Sequence, residues 1–320
     1  MTSTPKRPPY DPEVAAALAM VSANGALQPV TLGTLKEMRA RGETSNEDLG
    51  RFDLDRVDIM IPGYEGAELT ASVFSRRGRT GAGPGVLHLH GGGMIARNRF
   101  TGVSVVLPWA VEHDAVVVTV DYRLAPEHPD PYPVEDCYAA LVWLAGHAEE
   151  YGIDPDRLLV AGTSAGGGLA AGTALLARDR GGPRLLGQML CCPMLDDRDR
   201  TVSTAQFEGI GVWDRESNRT GWTALLGARR GTSDVSPYAA PARARDLSGL
   251  PPAFLDVGSA EVFRDEVVAY ASRIWADGGV AELHVWPGGT HGWEGLAPLG
   301  RMARQAAASR AGWIARLLET

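Results

Sequence analysis

Short aliphatic runs alternate with longer stretches of helical spacing along most of the chain. Residues 85–90 and 115–120 are almost continuously apolar, which is typical of strands buried on both faces. Similar runs predict further strands at 51–61, 68–76, 158–161, 185–191, 253–257 and 283–286. Helical spacing predicts helices at 133–151 and 301–318. Because strands alternate with helices, we predict an α/β fold with a mainly parallel sheet flanked by helices.

A helix-start signal also lies near the N-terminus. Asp11, Pro12 and Glu13 combine an N-cap residue, a proline for the first turn and an early acidic residue. The amphipathic stretch that follows is predicted to end near Asn24 and Gly25.

Two segments fit this alternation poorly. These are residues 1–50 and residues 201–233, the second of which carries Phe207, Trp213 and Trp222 between polar residues. Aromatic residues outside the sheet pattern predict either the core of a small subdomain or a lid over an apolar pocket, and both can hold together.

Composition narrows the classes of function. The 320 residues carry a formal net charge of −8 without a basic stripe, so we do not expect nucleic acid as a partner. No run of about 18 apolar residues is present to span a membrane, and the polar, proline-rich N-terminus has no secretory signal. We therefore expect a cytoplasmic protein. Cys137, Cys191 and Cys192 have neither disulfide-framework nor metal-ligand spacing. Cys191 and Cys192 end an apolar run and are interpreted as buried small hydrophobic residues.

The most informative chemical motif is a Gly-x-Ser-x-Gly pentapeptide centred on Ser164. An aliphatic run precedes it and an alanine-rich, helix-like run follows it. This context predicts a sharp strand-to-helix turn that exposes the serine hydroxyl, with Gly162 and Gly166 allowing the turn to close. Ser164 is therefore the candidate nucleophile, whereas the alternative is a glycine-rich turn with the serine as a small filler.

A serine hydroxyl needs a base and an orienting acid. His291 lies in a glycine-rich loop directly after the predicted strand at 283–286, at the sheet edge where α/β sites assemble, and is the candidate base. The orienting acid is expected between the serine and the histidine in chain order. Asp256, Glu261 and Asp265 all follow or end the strand at 253–257, and the pattern alone leaves the choice between them open.

Backbone amides for an oxyanion are expected in the run from His90 to Gly93, which follows the strand at 85–90. The amides of Gly91 and Gly92 carry no obstructing side chain, and the amide of Ala165, just after the nucleophile, is the third candidate donor.

With these motifs in this order, the chain resembles the hormone-sensitive-lipase-like carboxylesterases, in the subfamily whose turn reads Gly-Thr-Ser-Ala-Gly. The resemblance covers nearly all of the chain beyond residue 50. It rests on four matching segments, at 90–93, 121–127, 162–167 and 291–292.

The resemblance implies an eight-stranded α/β-hydrolase fold with a helical cap. The cap would comprise residues 1–50 and 201–233, and the core residues 51–200 and 234–320. It also implies that the segment 122–127 supports the oxyanion loop and that His90 orients that loop.

The family's acid motif is Asp-Pro-Leu-Arg-Asp-Glu, and the matching segment here is 261–266. Because Arg264, Asp265 and Glu266 fix the register, Glu261 takes the position of the family's catalytic aspartate. This departure from the family pattern is why Asp265 is kept as the alternative.

The sequence thus predicts a serine carboxylesterase for short- to medium-chain acyl esters, acting through an acyl-enzyme with Ser164, His291 and Glu261. We expect a small-molecule ester as its partner and no metal or organic cofactor; the sequence is compatible with a homodimer and does not determine the oligomeric state. Candidate pocket walls are Met94, Ile95, Trp213 and Trp222, which otherwise are core packing. The alternatives are a hydrolase of an amide, a carbamate or an acetylated natural product, and a ligand-binding protein that has lost the chemistry.

Overall fold

The computed structural model describes residues 5–23, 27–41, 49–50 and 52–319. One eight-stranded sheet runs through it in the order β1-β2-β4-β3-β5-β6-β7-β8. The strands are β1 (Leu54–Pro62), β2 (Glu68–Arg76), β3 (Gly83–Leu89), β4 (Val116–Val120), β5 (Ile153–Thr163), β6 (Gly187–Cys191), β7 (Ala253–Gly258) and β8 (Ala281–Trp286). Strand β2 is antiparallel to both β1 and β4, and all other neighbours are parallel. The predicted eight-stranded, mainly parallel sheet flanked by helices is confirmed.

The helices lie before, between and after these strands. They are α1 (Pro12–Ala23), α2 (Leu35–Arg41), α3 (Leu107–Glu112), α4 (Tyr132–Gly146), α5 (Ala165–Asp179), α6 (Val202–Gln206), α7 (Arg215–Leu226), α8 (Arg264–Ala276), α9 (Trp293–Leu296) and α10 (Arg301–Leu318). No helix among the residues described is long and apolar enough to cross a membrane.

Alternate residues of the central strands enter opposite hydrophobic layers. In β4, Val116 and Val118 belong to the larger cluster, which includes residues of α4, α5 and α8, whereas Val117 belongs to the cluster with α3 and α10. Side chains of a strand point to alternate faces, so both faces of the sheet are covered. This double burial explains the near-continuous apolar runs in the sequence.

The predicted boundaries need some corrections. Helix α4 ends at Gly146 and not at residue 151, because the chain turns at residues 147–152. The helical spacing of Trp143, His147 and Tyr151 misled the prediction, since these rings pack together across that turn. Strand β5 begins five residues earlier than predicted, where exposed polar residues replace the apolar pattern.

The helix start near the N-terminus is confirmed. The Asp11 Oδ1 atom accepts a hydrogen bond of 2.9 Å from the Glu13 amide, and α1 begins between them at Pro12. The predicted end at Asn24 and Gly25 lies outside the described residues.

Candidate active site

Ser164 is the single residue between the end of β5 and the first residue of α5. Its φ of 60° and ψ of −121° are a strained conformation for a residue with a side chain. A Cβ atom on Gly162 would lie 2.1 Å from the Gly166 carbonyl oxygen, and one on Gly166 would lie 2.0 Å from the Leu89 carbonyl oxygen. Only glycine therefore fits at positions 162 and 166, which explains why the pentapeptide has a glycine at each end.

His291 reaches the serine from the loop after β8. Its Nε2 atom lies 2.9 Å from the Ser164 Oγ atom, and His291 is 8% exposed. The edge of the Phe263 ring packs against the imidazole at a centroid distance of 5.1 Å. The structure thus brings the predicted nucleophile and base within hydrogen-bonding distance.

Glu261 lies in the turn between β7 and α8, on the other side of the imidazole. Its Oε1 atom is 3.4 Å from the His291 Nδ1 atom, and its side chain is completely buried. Burial raises the pKa of Glu261, while the neighbouring His291 opposes that rise. The Oε2 atom has no hydrogen-bond partner among the described residues.

The alternative acids are engaged elsewhere. The Asp265 carboxylate accepts hydrogen bonds from the Ser203 amide at 2.7 Å and from Arg264 at 2.7 Å. Burial alone would raise the pKa of Asp265, but these two donors outweigh it and hold that pKa below its ordinary value. Asp256 is buried against Arg310 on α10. Of the three candidates, only Glu261 lies beside His291.

The predicted oxyanion donors lie in the loop after β3 and at the first residue of α5. A Cβ atom on Gly91 would lie 3.4 Å from the Ser164 Cβ atom, so this backbone passes directly against the nucleophile. Gly92 has a φ of 118°, and a Cβ there would lie 2.1 Å from the Ala96 carbonyl oxygen. Ala165 is the first residue of α5, whose amide has no partner within the helix. Gly91 and Ala165 therefore lie directly beside Ser164, and Gly92 follows Gly91 in the same loop.

The segment 121–127 packs directly on this loop. The Tyr122 hydroxyl donates to the His90 carbonyl oxygen at 2.8 Å, and the two rings stack at 4.2 Å. The Ala125 amide donates to the Met94 carbonyl oxygen at 2.9 Å. Arg123 is anchored to the fully buried carboxylate of Asp136. The loop is therefore held by hydrogen bonds and ring stacking from this segment.

The four predicted wall residues lie in the main hydrophobic cluster. Met94, Ile95 and Trp222 are almost fully buried, and Trp213 is 7% exposed. A Cβ on Gly93 would lie 2.4 Å from the Trp213 ring, so this tryptophan covers the glycine turn. Trp213 therefore packs against the glycine turn that carries the predicted oxyanion donors.

The described residues of both segments that fit the sheet pattern poorly, 1–50 and 201–233, lie near the oxyanion loop. The Val30 amide donates to the Ser217 hydroxyl at 2.8 Å, which joins the N-terminal segment to α7. Arg39 donates to the carbonyl oxygens of Ile95 at 2.7 Å and Ala125 at 2.9 Å. The described part of the N-terminal segment therefore contacts both α7 and the oxyanion loop.

Sequence reasoning missed one neighbour of the candidate triad. Cys192 follows β6 and, with Glu261 and His291, forms a group whose side-chain donor atoms lie within 4.8 Å of one another. Burial, reinforced by the charge of Glu261, holds the pKa of the Cys192 thiol well above its ordinary value, which disfavours the thiolate that a metal would require. All three cysteines are free and buried, as expected for Cys191 and Cys192.

Comparisons with known proteins agree with this architecture. A family described by the alpha/beta hydrolase fold matches residues 86–295. Esterase LipI of Mycobacterium tuberculosis is 38% identical over 223 residues, which are 70% of this chain and 69% of that protein.

Two solved structures extend the likeness to the whole chain. A bacterial heroin esterase has a TM-score of 0.88 at 38% identity and covers 97% of this chain and 98% of its own. Brefeldin A esterase, a bacterial homologue of human hormone-sensitive lipase, has a TM-score of 0.82 at 27% identity, covering 98% and 99% of the two chains. The chain belongs to the hormone-sensitive-lipase-like carboxylesterases of the α/β-hydrolase fold.

Proposed function

We propose that this protein is a serine carboxylesterase in which Ser164 is the nucleophile, His291 the general base and Glu261 the acid that orients it. The observation that carries the proposal is the distance of 2.9 Å between the His291 Nε2 and Ser164 Oγ atoms, with the serine on a strained turn. A nucleophile in contact with a base that is itself oriented by a third group is the arrangement that acyl transfer needs.

Acylation begins when the Ser164 Oγ atom attacks the carbonyl carbon of the ester while His291 Nε2 takes the hydroxyl proton. The carbonyl oxygen becomes an oxyanion, which the amides of Gly91, Gly92 and Ala165 stabilise. Each such donor contributes about 3 kcal/mol in comparable sites. His291 then donates its proton to the leaving oxygen, and the alcohol departs.

Deacylation repeats these steps with water. His291 takes a proton from the water molecule as its oxygen attacks the acyl carbon, and then returns a proton to Ser164 Oγ as the acid is released. Glu261 keeps the imidazole in one orientation and offsets its positive charge in both halves of the reaction. The buried position of its carboxylate supports this role, because little solvent screens the interaction.

We further propose that residues 1–50 and 201–233 form a cap over the site, and that residues 51–200 and 234–320 form the core. The contacts of Val30 with Ser217 and of Arg39 with the oxyanion loop support this division. A capped site has limited depth, so the preferred acyl groups are short to medium in length. The Trp213 ring on Gly93 supports a covered site.

Hydrolysis of p-nitrophenyl esters from acetate to palmitate tests the proposal. Wild type is compared with Ser164→Ala and with Ser272→Ala, a control at an exposed serine of α8. We expect activity that peaks at short or medium chains, disappears in Ser164→Ala and is unchanged in Ser272→Ala. A Ser164→Ala variant with wild-type rates would refute the nucleophile, and a matched amide series tests the amidase alternative.

A further inference from the structure

The loops that carry the proposed base and acid lie against each other along their backbones. The histidine loop comprises residues 287–292, between β8 and α9, and the acid loop comprises residues 259–263, between β7 and α8. A Cβ atom on Gly258, the last residue of β7, would lie 2.1 Å from the Gly289 carbonyl oxygen. The two backbones are thus in direct contact, and the position of one loop depends on the other.

Three hydrogen bonds join the acid loop to the histidine loop and to the end of β8. The Ser259 amide donates to the Trp286 carbonyl oxygen at 2.8 Å. The Ala260 amide donates to the Gly289 carbonyl oxygen at 2.9 Å. The third bond runs in the opposite direction, from the Gly288 amide to the Ser259 Oγ atom at 2.8 Å. Of these three, only the last depends on a side chain, so it is the one that a substitution can remove.

Both partners of that third bond are themselves held in place. The Ser259 carbonyl oxygen accepts a hydrogen bond of 3.0 Å from Arg264, and its amide is bound to β8 as described. The Gly288 carbonyl oxygen accepts from the Asp11 amide at 3.0 Å. Gly288 is buried, so removal of the Ser259 hydroxyl leaves its amide without an acceptor. A buried unpaired amide is costly, and the loop gains by shifting until the amide is satisfied.

The far side of His291 is tied to the same strand. Glu294 lies in α9, three residues after His291, and its Oε1 atom is 2.6 Å from Arg310 Nη1. The Nε atom of Arg310 donates to the Asp256 carboxylate of β7 at 3.1 Å. Both flanks of His291 are therefore attached to β7 or to the acid loop that follows it, which is the segment that carries Glu261.

We propose that Ser259 is a positioning residue for His291. By holding the Gly288 amide, its hydroxyl fixes the histidine loop on the acid loop and keeps the imidazole between Ser164 and Glu261. The inference rests on the proposed function, because the effect passes through His291 acting as the base. Ser259 touches neither the substrate nor a transferred proton.

Steady-state hydrolysis of p-nitrophenyl acetate and the melting temperature are measured for wild type, Ser259→Ala and Ser259→Thr. A misplacement of about 1 Å can cost up to about 100-fold in rate, so Ser259→Ala should lower kcat by at least about fivefold. Because His291 serves acylation and deacylation alike, kcat and kcat/KM should fall together, with KM within about threefold of wild type. Ser259→Thr keeps a hydroxyl on the same carbon atom, and its kcat should stay within about threefold of wild type.

Ser236→Ala is the matched control. The Ser236 hydroxyl also accepts from a backbone amide, that of Tyr238 at 3.2 Å, but it lies between α7 and β7, outside both loops. Each alanine variant loses one bond of the same kind, so both melting temperatures should fall by no more than a few degrees. The kcat of Ser236→Ala should remain that of wild type.

A double-variant cycle separates positioning of His291 from a general effect on the fold. Loss of one triad member leaves about 10³- to 10⁴-fold catalysis over water in comparable enzymes, so hydrolysis by His291→Ala is measurable with this activated ester. If Ser259 acts through the imidazole, adding Ser259→Ala to His291→Ala should change the rate by less than about twofold.

Four results would overturn the proposal: a kcat of Ser259→Ala less than fivefold below wild type, an equal loss in Ser259→Thr, a loss confined to KM, or the same loss in the His291→Ala background. The proposed function is tested separately by His291→Ala itself. An inactive His291→Ala beside a fully active Ser259→Ala would refute only the role of Ser259. Wild-type rates in His291→Ala would refute the proposed function, and the role of Ser259 with it.

Discussion

Replacing Glu261 by Gln tests how the proposed triad works. The substitution keeps the shape of the side chain and removes its charge. Two unit charges 3.4 Å apart, the distance between Glu261 Oε1 and His291 Nδ1, interact by about 5 kcal/mol at an effective dielectric constant of about 20. If this charge interaction stabilises the imidazolium in the transition state, the loss of the interaction lowers kcat by about 10³- to 10⁴-fold.

The melting temperature of Glu261→Gln, unlike its activity, should not fall. Burial raises the pKa of Glu261, which means that the folded protein carries a carboxylate whose charge is unfavourable in its surroundings. The neutral amide removes that cost, so the melting temperature of Glu261→Gln should equal or exceed that of wild type. Lower activity with undiminished stability is the signature of a group placed for catalysis.

The assay is single-turnover and steady-state hydrolysis of p-nitrophenyl acetate, with thermal unfolding measured on the same samples. Asp265→Asn is the matched control. Its carboxylate is bound to Ser203 and Arg264, so this change should lower the melting temperature by a few degrees and alter kcat by less than about threefold. A Glu261→Gln enzyme with near-wild-type kcat, beside an inactive but folded Asp265→Asn enzyme, would refute the reasoning.

Three further substitutions test the packing and the buried charges around the site. Gly166→Ala should destabilise the fold by at least about 3 kcal/mol, because the new Cβ would lie 2.0 Å from a backbone carbonyl oxygen; a wild-type urea midpoint would contradict this. Burial raises the pKa of Glu266 well above its ordinary 4.5, so the folded state holds the proton more tightly. The stability that this group contributes should therefore be full below about pH 4.5 and should fall as the pH rises through the raised pKa. Glu266→Gln should flatten this decline when melting temperatures are measured at a series of pH values. An unchanged slope in the variant would contradict the prediction. Arg310→Met leaves the buried Asp256 carboxylate without its cation and should cost about 3–5 kcal/mol by urea unfolding, which the added change Asp256→Asn should partly restore. Equal stabilities of the single and double variants would contradict this pairing.

The local patterns of the sequence predicted the sheet and two members of the candidate triad. In a parallel sheet the loops after the strands meet at one edge, so a serine after β5 and a histidine after β8 were expected to approach each other. The acid required the register of residues 264–266, because the spacing alone allowed Asp256, Glu261 or Asp265. The structure brings Glu261, and not the other two, to His291.

Contacts between distant parts of the chain were beyond reach of the patterns. Cys192 approaches Glu261 only because β6 lies next to β7. The sequence of neither strand indicates which strand lies beside it. Tyr10 meets the His291 loop across about 280 residues of sequence, through a segment that has no strand pattern. The end of α4 was wrong for a different reason, since aromatic spacing continued into a turn.

Labelling with diethyl p-nitrophenyl phosphate tests the central claim most directly. The reagent phosphorylates an activated serine and releases one p-nitrophenol, which is counted by absorbance while the modified residue is located by peptide mass spectrometry. The account predicts one equivalent of p-nitrophenol, one diethylphosphoryl group on Ser164 and matching loss of esterase activity, with no labelling of Ser164→Ala. Inactivation with the group on any other residue, or full activity after complete labelling of Ser164, would contradict it.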